Sequence, residues 1–252
     1  MIVRRILENL GGIAVVVALL GLWTLVTRWQ LVSPVFLPRI GDILDALIEL
    51  FEDGSLGRAV IGTASRMLLG FAMASLVGCC LGLAIGLSPA ARAYVEPSLE
   101  FLRPLPASAI IPVAVMFLGL SKAMIFAVIV FGSLWPTLLA TVQGIKSAEP
   151  RLFEMARTME LPRRTVIASI VLPAALPDIF AGLRLAMTVS LILAVVTEMM
   201  SAEPGLGATI LQSARSFRSP ELFAGVFMLG AIGFTTNLVM EAIQRRLLRW
   251  RE

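Results

Sequence analysis

Long apolar stretches separated by short charged segments make up most of this chain of 252 residues. A helix that crosses the hydrocarbon core of a bilayer needs about 20 mostly apolar residues. Of the predicted helices, the fifth is the least clean, because Arg184 and Glu198 interrupt its apolar pattern near the two ends. The pattern therefore predicts an all-α membrane protein with six transmembrane helices, at about 9–28, 66–88, 104–121, 123–145, 179–200 and 221–241.

The composition agrees with a membrane protein that forms a single domain over residues 1–252. Mean hydropathy is +0.90 and only 15% of the residues are charged, whereas soluble domains average about 25%. Histidine is absent, and no phosphate-loop motif occurs around the two lysines, Lys122 and Lys146. We therefore expect no catalytic site, no metal site and no ATP site on this chain.

The distribution of basic residues predicts the orientation. With the N-terminus in the cytoplasm, most of the 21 lysines and arginines lie in the inner segments or at the inner helix ends. Because cytoplasmic loops are enriched in these residues, we expect both termini and the loop over 146–177 to be cytoplasmic. The first apolar run is expected to be a transmembrane helix and not a cleaved signal peptide.

Residues 39–53 predict an amphipathic helix on the outer side. Its apolar positions recur at helical spacing and its acidic positions lie between them. It either lies on the membrane or the bundle, or it is a landing surface for an external partner. The apolar set is Ile40, Ile43, Leu44, Leu47, Ile48 and Phe51, and the acidic set is Asp42, Asp45, Glu49 and Glu52.

Small residues recur every fourth position in the second span, where they share one helix face. Such a stripe lets another helix approach closely, and that helix can belong to the same chain or to a second copy. The residues are Gly70, Ala74, Gly78, Gly82 and Gly86.

Three prolines, Pro104, Pro106 and Pro112, stand in or near the start of the third span. Proline removes a backbone hydrogen bond and kinks or breaks a helix. A broken helix in a membrane needs cover from protein or from a water-filled cavity. The prolines therefore indicate either a broken helix beside a pathway or a proline-initiated helix buried in the bundle.

The fifth helix carries polar residues and one acid at membrane depth. Arg184 and Glu198 are about 21 Å apart along its axis, and a charge within the membrane favours a functional site. We expect Met187, Ser190, Thr197 and Glu198 to line the path of a solute. The alternative is that each charge bonds to the loops at its own helix end, Glu198 with the turn that follows it.

The loop over 146–177 predicts two short helices joined at "MELPRR". Leu152, Met155, Ala156 and Met159 share one face of the first helix. Pro162 ends that helix and suits the start of the second, and Pro173 and Pro177 separate the second from the fifth span. The pair is either a rigid knob presented to a partner or a loop packed on its own bundle.

This loop resembles the EAA loop of ATP-binding cassette (ABC) importer permeases. In "FEMARTMELPRRTVIASIVLPAALPDIFAGLRLA", Glu154, Met155 and Ala156 occupy the Glu-Ala-Ala positions. The closing motif Ile-x-Leu-Pro matches Ile170, Leu172 and Pro173. Two residues depart from the family pattern, Met155 in place of alanine and Glu160 in place of glycine. We expect the glycine turn to be rebuilt around Pro162.

Further stretches are similar to the nitrate, sulfonate and taurine branch of these permeases, including "LEFLRPLPASAIIPVAVMFLGLSKAMIF" and "TEMMSAEPGLGATILQSARSFRSPELFAGV". The resemblance implies a type I (MetI-like) permease of the inner membrane, a second copy or close paralogue, two cytoplasmic ATPases that bind ATP and Mg, and a periplasmic or lipid-anchored solute-binding protein. It also implies alternating access, a small anionic solute, and ATPase docking through Leu152, Glu154, Met155, Ala156, Arg157, Met159, Glu160, Pro162, Arg163 and Arg164.

Two other classes of function compete with this interpretation. An ion-coupled carrier or channel would need a coupling-ion site near the midplane, but five of the six spans have no charged residue in the middle. A membrane-embedded enzyme would lack histidine and a carboxylate cluster in the spans. The solute itself is left open by the sequence.

Overall fold

The computed structural model describes residues 2–102, 105–147, 149–201 and 203–249, and every regular element in those ranges is a helix. This confirms the all-α fold class. Three long helices pack against one another at the centre of the molecule: α3 (Ser55–Leu87), α6 (Lys122–Lys146) and α9 (Leu172–Met200). Their shared core contains Met67, Ile111, Met124, Ile125, Val128, Ile129, Phe180, Met187, Leu193, Ala194 and Met240.

The remaining elements surround this centre. They are α1 (Ile2–Arg28), α2 (Ile40–Glu52), α4 (Pro89–Leu102), α5 (Ile111–Leu118), α7 (Pro150–Thr158), α8 (Arg163–Val166), α10 (Leu206–Arg215) and α11 (Ser219–Leu247). A 3₁₀ turn, Ala107–Ile110, precedes α5, and a π-helical turn, Ile167–Val171, joins α8 to α9. We call the end of the bundle near Glu198 the latch end and the end near α7 the loop end.

Among the described residues, four helices are long and apolar enough to cross a membrane: Ser55–Leu87, Lys122–Lys146, Arg163–Met200 and Ser219–Leu247. Two shorter apolar helices, Ala14–Arg28 and Ala107–Leu118, correspond to parts of the first and third expected spans. The described chain therefore has four long apolar helices and two shorter ones in the regions of the six expected spans.

The third expected span, 104–121, is broken. Only Ala107–Leu118 of it is helical among the described residues, and α4 runs before it as a separate helix. Pro106 and Pro112 lack the N–H groups that a continuous helix would need. Pro112 instead lies in the first turn of α5, and Gly119, at a φ of +63°, ends that helix. Residues 103 and 104 lie outside the described ranges.

The small residues of α3 face α6 of the same chain, which settles which helix the stripe approaches. A Cβ at Gly82 would lie 2.6 Å from Cβ of Thr141, and one at Gly86 would overlap Cδ1 of Ile145. Gly70 meets Ile129 and Gly78 meets Thr137 in the same way, and Ala74 is fully buried. The two backbones approach closely because no side chain stands between them.

The segment after α7 differs from the prediction. Pro173 and Pro177 do not separate it from the fifth span, because α8, the π-helical turn and α9 form one helix over Arg163–Met200. Pro173 has no N–H to donate to the carbonyl one turn earlier, and the turn that precedes it widens to the π form. The loop is therefore one short helix, α7, joined to an extension of α9.

Candidate functional site

α7 presents apolar side chains to its surroundings at the loop end. Leu152, Met155 and Met159 are 36%, 59% and 65% exposed, whereas Ala156 on the same face is buried. Glu154, Arg157, Glu160, Pro162, Arg163 and Arg164 are also exposed. Exposed apolar side chains on a helix with charged neighbours are typical of a surface that a partner covers.

The turn after α7 keeps the geometry of a glycine turn, although Glu160 stands there. Glu160 has a φ of +51°. Its N–H donates to the carbonyl of Arg157 (3.1 Å), and the N–H of Leu161 donates to that of Ala156 (3.0 Å). These two bonds define a Schellman motif with Glu160 at its left-handed position. The expectation that the turn is rebuilt around Pro162 is therefore wrong: Pro162 is extended and caps α8.

The extension of α9 attaches this loop to the bundle. Val171, Ala175 and Ile179 are buried against Ile145 of α6, with Val166 and Leu83 beside them. Ile170, Leu172 and Pro173 of the closing motif are half-buried in the same segment. The hydroxyl of Ser147 also donates to Oδ2 of Asp178 (3.0 Å). A displacement of α7 would therefore act directly on α6 and α9.

At the latch end, Glu198 is fully buried and accepts three hydrogen bonds. Arg66 Nη1 lies 2.5 Å from Oε1, and Thr63 Oγ1 and the N–H of Gly207 donate to Oε2 over 2.8 and 3.0 Å. The Thr63 hydroxyl in turn accepts from the N–H of Leu206 (2.9 Å). We call Thr63, Arg66, Glu198 and residues 204–207 the latch. It ties α3, α9 and α10 together.

Two glycines make room for this carboxylate. A Cβ at Gly205 would overlap the carboxyl group of Glu198, and one at Gly207 would overlap the carbonyl of Val195. Arg66 Nη2 donates to the carbonyl of Pro204 (2.8 Å). Because the charged groups are paired and both oxygens of the buried carboxylate accept hydrogen bonds, the latch has the character of a structural lock and not of a vacant binding site.

A looser charge pair lies beside the latch. Oε2 of Glu203 is 3.6 Å from Nη2 of Arg66 and 3.8 Å from Nζ of Lys122. Lys122, the first residue of α6, is well exposed. Exposed pairs of this kind contribute little to stability, so the buried Arg66–Glu198 pair carries the connection.

The four residues expected to line a solute path lie inside the single chain. Ser190, Thr197 and Glu198 have no exposed surface, and Met187 belongs to the central core. The hydroxyl of Thr197 donates to the carbonyl of Leu193 (2.7 Å) on its own helix. Ser190, Thr197 and Glu198 therefore lie in the packed interior, whereas Met187 also borders a cavity of about 210 Å³ between α9 and α11. The alternative holds, in which Glu198 bonds to the turn that follows it.

A different face of α9 borders a wide groove. A groove of about 750 Å³ lies between α4, α6 and α9 beside the break in the third span. α9 contributes Ala181, Leu185 and Val189, α6 contributes Trp135, Gln143 and Lys146, and Leu105 and Ala107 follow the break. The irregular backbone of the break thus borders a cavity, which is one of the settings in which a membrane protein tolerates non-helical backbone.

Residues that the sequence analysis missed complete the latch: Thr63, Arg66, Gly205 and Gly207. One signal in the sequence was Arg66, which directly precedes the second apolar run, because a charge inside a membrane needs a partner. The glycines of "EPGLG", just after Glu198, were another. Arg184, which also lies on α9, donates to Oε1 of Gln244 on α11.

The family is established by comparison with known proteins. Residues 57–252 match the model of the binding-protein-dependent transport system inner membrane component. The taurine transport system permease protein TauC of Escherichia coli (strain K12) is 30% identical over 252 residues, which cover 98% of this chain and 90% of that protein. The aliphatic sulfonates transport permease protein SsuC of Bacillus subtilis (strain 168) is 29% identical over 240 residues, 95% of this chain and 87% of that protein.

A solved structure shows the same fold. The inward-facing MetNI methionine ABC transporter aligns with a TM-score of 0.65 at 16% identity, over 76% of this chain and 95% of that one. The match supports the MetI-like architecture, and the family excludes the carrier and enzyme alternatives. The family implies a dimeric permease with ATPase and solute-binding partners. The chain thus belongs to the binding-protein-dependent transport system inner membrane components, as a non-catalytic permease subunit of an ABC importer whose ATP hydrolysis takes place on a separate chain.

Proposed function

We propose that this permease imports a small anionic solute, such as a sulfonate, taurine or nitrate, by alternating access driven through α7. Two copies of the chain form the pathway in the inner membrane with both termini in the cytoplasm. Two cytoplasmic ATPases bind ATP and Mg, and a periplasmic or lipid-anchored binding protein delivers the solute. The relatives TauC and SsuC are named for taurine and aliphatic sulfonates, which supports a sulfonate-like solute.

The observation that carries the coupling role is the exposed apolar face of α7. Leaving Leu152, Met155 and Met159 in water is unfavourable, and an ATPase surface that covers them removes that cost. The closing turn and the continuous helix behind α7 make it stiff. Stiffness matters because the ATPases can shift the permease between two states only through contacts that differ between those states.

The groove between α4, α6 and α9 is the proposed passage on each copy. Its walls are formed by apolar residues with the few polar side chains of Trp135, Gln143, Arg92 and Lys146. A second copy facing it would enclose the space. This assignment moves the passage from the buried face of α9 to the face with Ala181, Leu185 and Val189.

The docking role is tested by placing charges on α7. The double variant Glu154→Lys/Ala156→Asp is expected to abolish uptake and coupled ATP hydrolysis while the permease stays in the membrane. Because Ala156 is buried and its replacement can also disturb folding, Met155→Asp/Met159→Asp provides a second variant at exposed positions. We expect both to lose the co-purifying ATPase.

The matched control is Glu49→Lys, which makes the same charge change as Glu154→Lys on the exposed face of α2. It should retain the ATPase and normal uptake of labelled taurine, alkanesulfonate or nitrate, whichever the wild type transports. Normal uptake and ATPase recovery in the Met155→Asp/Met159→Asp variant would refute docking through α7.

A further inference from the structure

α2 has three distinct faces, and the first of them packs on the bundle. Ile43 and Ala46 are buried, and Leu47 and Leu50 pack against the same cluster. These residues follow the spacing i, i+3, i+4 and i+7 of one helix face. The cluster that they join contains Leu56, Ala59, Val60, Leu206, Met228, Leu229 and Ile232.

The second face is apolar but has no partner within the described chain. Leu44, Ile48 and Phe51 stand at i, i+4 and i+7 and are 55%, 57% and 71% exposed. They form a continuous stripe beside the packed face. Exposing an apolar stripe of this length to water alone would be unfavourable in free energy.

The third face carries all four acids of the helix. Asp42, Asp45, Glu49 and Glu52 are exposed and lie at i, i+3, i+7 and i+10. No acid interrupts the stripe of Leu44, Ile48 and Phe51. A helix that lies in a membrane surface sorts its residues in this way, with apolar side chains toward the acyl chains and charged ones toward water.

The surroundings of α2 favour phospholipid as the occupant of the stripe. α3 follows α2 after Asp53 and Gly54, and it exposes Ile61, Leu68 and Leu69 along a helix long and apolar enough to span the membrane. Trp29, which is largely exposed, follows α1 at the same end of the molecule. Tryptophan is enriched where a membrane meets water.

Positive charge beside the start of α2 complements lipid phosphate. Arg28 and Arg39 line a cavity of about 340 Å³ together with Thr24, Thr27 and the first residues of α2. Both arginines are exposed. Cations at the level of the headgroups attract anionic phosphate groups.

We propose that α2 lies in the membrane surface at the latch end, with Leu44, Ile48 and Phe51 among the acyl chains of phospholipids and the acidic face in water. The inference is independent of the solute and of the coupling role of α7. It assigns the stripe to lipid and the acidic face to water. It also anchors the start of α3, which supplies Thr63 and Arg66 to the latch.

Site-directed spin labelling tests the assignment in the complete permease–ATPase complex. Cys79 and Cys80 are first replaced by alanine, and single cysteines are then introduced as Ile48→Cys, Glu49→Cys and Ile61→Cys. The labelled complexes are placed in vesicles of phosphatidylethanolamine and phosphatidylglycerol. Accessibility to oxygen, which concentrates in lipid, is compared with accessibility to a water-soluble nickel chelate.

We expect accessibility to oxygen to exceed accessibility to nickel at positions 48 and 61, and the reverse at position 49. The logarithm of the oxygen-to-nickel accessibility ratio then changes sign between the neighbouring residues 48 and 49. ATP hydrolysis by each labelled complex verifies folding, and Leu44→Cys replaces Ile48→Cys if that complex is inactive. Nickel access at position 48 would place the stripe in water. Protection of position 48 from both reagents would place it against protein. Either result overturns the proposal.

Discussion

Glu160 is the residue at which this chain departs most from the pattern of its family, and the departure is one of side chain and not of backbone. The left-handed conformation is retained at a φ of +51°, and both Schellman hydrogen bonds are formed. A residue with a Cβ adopts this conformation at a cost of about 1 kcal/mol relative to glycine. The side chain of Glu160 is exposed beside the exposed apolar face of α7.

Replacing Glu160 by glycine should therefore stabilise the turn by about 1 kcal/mol, because the left-handed conformation then carries no steric cost. Arg157→Gly, three residues earlier within α7, should destabilise it by about 1 kcal/mol. Protection of the α7 amides from hydrogen exchange measures both effects. If Glu160→Gly lowers protection, the turn is not held as described. If it raises protection but weakens ATPase binding, the carboxylate itself contacts the ATPase.

Glu198 and Arg66 show how a charge is accommodated at membrane depth. Each uncompensated charge in a buried site costs several kcal/mol, and both are compensated here by pairing at 2.5 Å and by hydrogen bonds to Thr63, Gly207 and Pro204. The carboxylate already accepts three hydrogen bonds and has no exposed surface, so it is not accessible to a passing solute. Its role is to hold the latch end of α3 to α9.

At the scale of elements, the close packing of α3 on α6 depends on the absence of side chains at the glycines of α3. The helices are held at the separation that glycine allows, so an added methyl group forces either a side chain or a backbone to move. Position 86 is informative because the nearest obstacle is a single terminal atom, Cδ1 of Ile145.

Gly86→Ala is expected to destabilise the permease by about 1–3 kcal/mol through overpacking. Adding Ile145→Val removes the obstructing Cδ1 atom and should restore most of the loss. Gly57→Ala in the same helix meets no atom within 4 Å and serves as the control. The measurement is the midpoint of thermal unfolding in detergent, followed by size-exclusion chromatography. Equal midpoints for Gly86→Ala and Gly57→Ala would mean that α3 and α6 are not in close contact at that point.

At the scale of the whole molecule, two connections run between α3, α6 and α9. The latch joins α3, α9 and α10 at one end, and the cluster of Ile145, Val171, Ala175 and Ile179 joins α6 to α9 at the other. The groove opens between α6, α9 and the broken third span. Movement of α7 would thus reach the walls of the groove through a continuous helix, Arg163–Met200.

A bulky residue in the groove should block transport without disturbing assembly. Leu185→Trp, on the groove face of α9, is expected to lower solute uptake at least about tenfold, equivalent to 1.4 kcal/mol or more on the rate-limiting barrier. The control is Leu76→Trp on the exposed side of α3, outside the groove. Uptake is measured per permease recovered with its ATPase. Unchanged uptake in Leu185→Trp would remove this face of α9 from the passage.

The sequence alone was sufficient for the features that depend on neighbouring residues. Apolar runs marked the membrane segments, a period of 3.6 residues marked α2 and α7, and the EAA pattern identified the class of permease. Even the kink-prone stretches were indicated by their prolines, although the π-helical turn that keeps α9 continuous was not. These signals are local, because the residues that produce them are adjacent in the chain.

Tertiary structure alone decided which faces meet. The pairing of Glu198 with Arg66 joins residues 132 positions apart, and no periodicity relates the two. The packing of the helices also buries Ser190 and Thr197 and turns Leu185 toward the groove. It places the glycines of α3 against α6 of the same chain, and it divides the apolar side of α2 into a packed face and an exposed one. Hydrophobic burial has no direction of its own, so a sequence pattern states that a helix face avoids water but leaves to packing whether core, lipid or partner covers it.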